Sequence, residues 1–224
     1  MKKYLLISIL VLSLALTSNV CSLSLVYELD TEFSGGANPS GSPPWLRSTF
    51  ENVANGDVKL TLDGLLNGTG EKVTEWDFNF DPALNAALLS ISWGSHTAPL
   101  PDLIAFGNDQ WKADGDGDFD IAFYFPTSGD VFNDNEQAVF ILSYPTDITF
   151  NSFNFGSVGG EKGSFGTAAH VQGIGAPAAD LSGWIGDSGG TIQNGAVPEP
   201  ATILLLGSGL IGLAGYGRKK FFKK

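Results

Sequence analysis

Cysteine occurs once in the 224 residues, as Cys21. No disulfide can close within the chain, so stability must come from a packed core. Histidine occurs twice, as His96 and His170, and with no cysteine beside either a zinc cage is excluded. Positive charge is scarce: 12 Lys and Arg stand against 24 Asp and Glu, for a net charge of −12. Seven of the 12 sit at the ends, as Lys2, Lys3, Arg218, Lys219, Lys220, Lys223 and Lys224. Residues 28–199 therefore hold 5 basic against 24 acidic residues, a net of −19. A nucleic-acid binder needs a basic footprint, and this stretch has the opposite. Charged residues make up only 16%, while Gly is 29 and Pro 11, which argues against a helical bundle or coiled coil. What is present is 43% apolar content, enough for one core.

The long apolar runs lie at the ends. Lys2-Lys3 followed by the apolar residues 4–17 has the form of a secretory signal helix, and residues 1–24 are expected to be removed on export. At the other end, residues 201–216 are apolar and are followed by Arg218 and further lysines. As a helix this run is about 24 Å long at ~1.5 Å per residue, short against a bilayer core of about 30 Å. It spans only with local thinning and snorkelling of the flanking cations. The basic tail is expected to stay cytoplasmic, with the acidic body on the other side.

The order Pro198-Glu199-Pro200, short Gly-bearing helix 201–216, Arg-led basic tail resembles the PEP-CTERM sorting signal. The resemblance covers residues 197–224. It implies that Pro198, Glu199, Pro200 and Arg218 are sorting residues, that the helix is a transient inner-membrane anchor, and that an exosortase processes the chain and releases it outward. It also implies that the Sec export machinery is a partner.

Between the ends the pattern is β. Val58-Lys59-Leu60-Thr61-Leu62, Trp76-Asp77-Phe78-Asn79-Phe80 and the run 119–125 alternate apolar with polar or small residues, and further apolar runs lie at 139–144 and 148–155. A change of phase at Asn151-Ser152 predicts a bulge. Turn signals fall between the runs, at Asn55-Gly56-Asp57, Asn67-Gly68, Ser128-Gly129-Asp130 and Gly159-Gly160. Many short strands at this spacing predict a mostly β domain over 25–185, an antiparallel β-sandwich of jelly-roll type. Asp81-Pro82-Ala83-Leu84 predicts one short helix with Asp as its cap. Residues 186–196 read as a flexible linker between body and sorting signal.

Three constellations bear on chemistry. Gly186-Asp187-Ser188-Gly189-Gly190 and Thr167-Ala168-Ala169-His170 resemble the nucleophile and histidine segments of chymotrypsin-like proteases. In that family the two belong to different barrels, whereas here 18 positions separate His170 from Ser188. Such parts do not readily reach triad geometry. Glu28-Leu29-Asp30-Thr31-Glu32 resembles the catalytic strand of laminarinase-like glycoside hydrolases, with three acids on one strand face. A solvated edge strand explains the same alternation.

The third is Asp114-Gly115-Asp116-Gly117-Asp118-Phe119-Asp120. Alternate carboxylates on a glycine-bent loop suit a hard cation, and Asp114, Asp116, Asp118 and Asp120 are candidate Ca²⁺ ligands, with Asn108, Asp109 or Asp134 completing the set. Phe119 stands where an EF-hand needs Gly, and Asp-Gly is also plain turn chemistry. Trp45 and Trp111 lie in polar, loop-like contexts and are the candidates for exposed sugar-stacking residues, while Trp76 reads as core. The expectation is thus a non-enzymatic exported protein with no catalytic set, acting at the cell surface or in the extracellular matrix in biofilm or exopolysaccharide structure. The alternatives are a carbohydrate-binding module and a matrix glycosidase.

Overall fold

The structure of the protein, a computed structural model, describes residues 23–194. The expected signal helix, the sorting residues Pro198, Glu199, Pro200 and Arg218, and the expected transmembrane helix 201–216 lie outside the described residues. The described chain is mostly β, an antiparallel curled sheet with short 3-10 turns between strands. Its strands are β1 (Leu23–Glu32), β2 (Leu46–Asn52), β3 (Val58–Gly64), β4 (Lys72–Phe78), β5 (Ser90–His96), β6 (Leu103–Ala113), β7 (Asp116–Tyr124), β8 (Gln137–Ser143), β9 (Thr167–Ile174), β10 (Leu181–Asp187) and β11 (Thr191–Asn194). The alternating runs at 58–62, 76–80, 119–125 and 139–144 supply β3, β4, β7 and β8. On β3 the apolar alternates bury while the intervening polar residues face out; in the runs that supply β4 and β7 the intervening Asp77, Asn79 and Asp120 are buried as well.

The strands join into one sheet in the order β5-β8-β3-β2-β1-β10-β9-β4-β7-β6, with β11 beside β1. This corrects the expectation of a jelly-roll sandwich with two separate sheets. The reason lies in β1, which is 10 residues long and serves two neighbours. Ser24 to Leu29 pair with β2, while Leu29 to Glu32 pair with β10 across a register shift at Asp30. A long strand with such an irregularity bends and hands the ladder from one layer to the next. The solvated edge strand that would explain the acids at 28–32 is therefore a central strand. Leu23 and Ser24, expected to leave with the signal peptide, begin it.

The sheet curls so that its two halves face each other across an aromatic core. Phe50 of β2 meets Phe78 of β4 edge-on at 5.5 Å, and Phe123 of β7 meets Phe140 of β8 at 5.0 Å. Tyr27 donates a 2.9 Å hydrogen bond to the Phe153 carbonyl, so its polar tip is satisfied inside. Burying each such ring contributes roughly 1.5–3 kcal/mol.

Three local expectations change. Asp81-Pro82-Ala83-Leu84 is a turn closed by the Asp81 carboxylate, which accepts from the Ala83 N–H at 2.8 Å, and the helical turn lies later, at Ala86–Leu88. A short polar side chain that bonds its own backbone competes with helix, and here it wins. The phase change at Asn151-Ser152 is a 3-10 turn, Phe150–Phe153, which puts both phenylalanines inward. Residues 186–194 are not a linker: Gly186 and Asp187 finish β10, and β11 follows. Gly190 lets this segment lie flat, since a Cβ there would stand 2.6 Å from the Tyr27 ring.

Candidate functional site

Because Trp76, Phe78, Ala169, Val171 and Ile185 fill the inner core, their sequence neighbours on β4, β9 and β10 point outward. That outer face should be polar. Instead it carries a second apolar cluster of Ala113, Phe119, Phe165 and Ala168, against which half-buried Phe33, Trp111 and Trp184 pack. Trp184 and His170 are cross-strand partners on β10 and β9, and their rings stack at 5.0 Å. Phe33 stacks on Phe165 at 4.4 Å. Phe165 can lie there because residue 186 is glycine: a Cβ at Gly186 would approach its ring to 2.4 Å. The Glu32 carboxylate holds the loop after Phe33, accepting from the Ser34 N–H at 2.8 Å and from the N–H groups of Gly35 and Gly36. The Trp184 N–H donates to Ser34 Oγ at 3.2 Å. Burial lowers the His170 pKa, with nearby Asp114 opposing, so the ring is held towards its neutral form and its Nδ1 sits 3.0 Å from Thr74 Oγ1.

The acidic loop forms one rim of this patch. Asp114 and Gly115 both take positive φ, the geometry of a tight two-residue hairpin between β6 and β7. Asp114 pairs with Lys162 and Asp118 with Lys112. Asp116 accepts from the Glu161 and Lys162 N–H groups. Asp120 accepts from the Phe80 and Asp109 N–H groups, both at 2.7 Å. Asn108, a candidate to complete a cation site, instead accepts from the Ala86 N–H at 2.8 Å. The four carboxylates are engaged one by one, and among the described residues no three His, Cys, Asp or Glu side chains converge as metal ligands.

Trp45 is a correction. It is 5% exposed and part of the inner core, with its indole N–H directed at the Gly41 carbonyl, so it presents no surface for stacking. It belongs to the same buried cluster as Leu29, Leu46 and Leu66, and its backbone bonds Leu29 and Leu65. Trp111 is half-buried at the outer cluster, where Trp184, Phe33 and His170 join it. Those partners were hidden in the sequence because cross-strand register, not chain spacing, brings them together.

The other acids have structural partners. Glu28 pairs with Arg47 at 2.8 Å, Asp30 accepts from Ser188 Oγ at 3.1 Å, and Glu32 holds its loop. His170 bonds Thr74 and Ser188 bonds Asp30, so the histidine and serine of the two protease-like segments are not hydrogen-bonded to each other, although the segments sit on the paired strands β9 and β10. Asp187 is buried, and burial raises its pKa against the backbone donors of Thr167 and Gly189. Asp77, missed in the alternating run 76–80, is fully buried on the outward side of β4.

Among the described residues no helix is long and apolar enough to cross a membrane. Comparison with protein families matches residues 196–219 to the PEP-CTERM protein-sorting motif. No curated protein and no solved structure matches the chain. The motif marks an exosortase-targeted, exported protein with a membrane-anchored stage before cleavage.

Proposed function

We propose that this exported exosortase substrate is a non-enzymatic protein of the cell surface or extracellular matrix, and that its body contacts neutral glycan through Phe33, Trp111, His170 and Trp184. One observation carries the reading: a sheet whose inner face already holds a complete aromatic core bears a second, half-exposed aromatic cluster on its outer face. Half-exposed rings of this kind mark binding surfaces, and flat rings suit the apolar faces of sugars. The rim of carboxylates offers acceptors for hydroxyl groups. Charge selects the class of polymer. Residues 23–194 carry 5 basic and 23 acidic residues, so an anionic chain is repelled and a neutral one is not. The Sec machinery and exosortase deliver the body; the glycan is its partner outside.

The test is made in the native host. The wild-type protein is expected in the extracellular matrix as a species shortened near Pro200, and an exosortase deletion is expected to leave the full-length chain in the inner membrane. Trp184→Ala and Trp111→Ala should be exported and shortened normally yet recovered from the free medium. Retention of both variants in the matrix at wild-type level would remove the glycan reading while leaving the export reading in place.

A further inference from the structure

Among the described residues, two buried side chains make no hydrogen bond: Ser48, through its hydroxyl, and Asp77, through both carboxylate oxygens. A lone hydroxyl is a minor cost, but an ionised carboxylate without partner or water is a severe one. Register explains the isolation. Asp77 pairs with Ala122 on β7 and Ala168 on β9, so the residue on either side of it carries no donor. Both alanines are fully buried, and Ala168 belongs to the outer apolar cluster. The titratable groups sharing this face are Glu75 on β4, Tyr124 and Asp120 on β7, and His170 on β9, with Asp114 acting on His170 from the hairpin tip. None of them bonds Asp77. Glu75 lies across the ladder from Tyr124, Asp120 is held by Phe80 and Asp109, and His170 by Thr74.

A site with this composition can take a proton or a metal ion. A metal needs several oxygens converging with room for its shell, and no three acidic or histidine side chains converge anywhere among the described residues. A proton needs neither. We propose that Asp77 is a proton-binding site of the native sheet, carrying its proton at neutral pH and loosening the β4 region when it ionises. Burial first and the charge of Glu75 second raise its pKa well above the ordinary carboxylate value, and Glu75 is itself raised by burial.

The sign follows from linkage. The unfolded chain releases this proton near the ordinary value of about 3.9, whereas the native sheet keeps it to a higher pH. Between the two, the native state binds more protons, so its contribution to stability is complete below the unfolded value and is lost as pH rises through the native one. One such proton moves the melting temperature of a domain this size by about 3–5 °C per pH unit while the difference persists.

The test compares melting of the full-length protein and Asp77→Asn from pH 5 to 9. Above neutral pH, where His170 no longer titrates, the wild type is expected to melt lower as pH rises and the variant to fall less, so that the variant melts above the wild type at pH 9, with a gap between the two that narrows towards pH 5. A gap that does not change with pH, or a variant less stable throughout, would overturn the proposal. Carboxyl ¹³C NMR of aspartate-labelled wild-type protein keeps the question open to test if the variant fails to fold. The Asp77 carboxyl, assigned through its own backbone, should be protonated at pH 7, and an ionised Asp77 would sink the idea. Calcium chloride should leave the wild-type melting temperature unchanged; a rise in wild type that Asp77→Asn abolishes would replace the proton by a bound cation.

Discussion

The two outer faces of the curled sheet are built from the same kind of strand and treat their acids in opposite ways. Where β1, β2, β3 and β8 ladder with one another, three outward acids meet a polar partner directly across the ladder. Glu28 is in register with Arg47, Glu51 with Lys59, and Asp63 with Gln137, and each pair is joined by a hydrogen bond or ion pair. On β4, β7, β9 and β10, the partners of Asp77 are alanines, and the neighbouring positions carry Trp184, His170 and the cluster around Phe165. Cross-strand identity decides which acids stay solvated and which are sealed. The first face is an ordinary solvated surface. The second places apolar area outside the core, which is the ground on which it is proposed as the working face.

The comparison can be broken from its heaviest side first. Phe165→Ala removes the ring on which Phe33 stacks and which seals Ala168, and should destabilise the protein by about 3–5 kcal/mol. Thr49→Ala, on the solvated face, should stay within about 0.5 kcal/mol of wild type. Urea denaturation of the two proteins side by side measures the difference, and equal midpoints would end the claim that the faces differ. Gly186→Ala comes next. Its Cβ cannot coexist with Phe165 in place, so a loss of about 1–3 kcal/mol is expected, with Trp184 fluorescence altered.

A smaller effect is read on the acid limb of stability. His170 has a lowered native pKa, from burial first. Its contribution is present above the unfolded value of about 6.5 and is lost as pH falls from there through the native value. His170→Gln should therefore flatten thermal stability between neutral pH and pH 5, and an unchanged acid limb would show that the ring is not held neutral by the patch. Smallest is Arg47→Ala. The Arg47–Glu28 side chains are 38% and 46% exposed, and such pairs are worth about 0–1 kcal/mol, less at high salt. A larger loss by urea denaturation would mean that the solvated face also carries structure.

Much of the fold was legible. Period-2 runs located β3, β4, β7 and β8 because their inward residues alternate with outward ones over a single core. Strand order was not legible, since nothing local to residues 23–32 reports that one strand ladders with both β2 and β10. The linker reading does not hold over 186–194 for a related reason, and 195–196 lie outside the described residues. Glycines that look like slack in a string of letters are there to admit Phe165 and Tyr27 at close range. Trp45 failed because the Pro- and Ser-rich stretch before it reads as loop, whereas the residue joins the inner core. At the candidate surface the sequence singles out only Trp111, as an exposed residue in a loop-like context, and it lies half-buried on β6; Trp184 and His170 meet through register, and Asp77 looked like any outward residue of an alternating strand until its alanine neighbours were placed. The sorting signal, by contrast, is read from residue order alone, which is why residues 196–219 were recognisable without any structure.

The most direct test of the working-face account is a binding isotherm of the purified protein on neutral β-glucan and on the host's own exopolysaccharide, with one variant from each face. Trp184→Ala is expected to weaken binding by about tenfold or more, as loss of a central aromatic contact does, while Arg47→Ala binds as the wild type does. Equal affinity in all three proteins, or loss on Arg47→Ala alone, would contradict the assignment of the aromatic face as the binding surface.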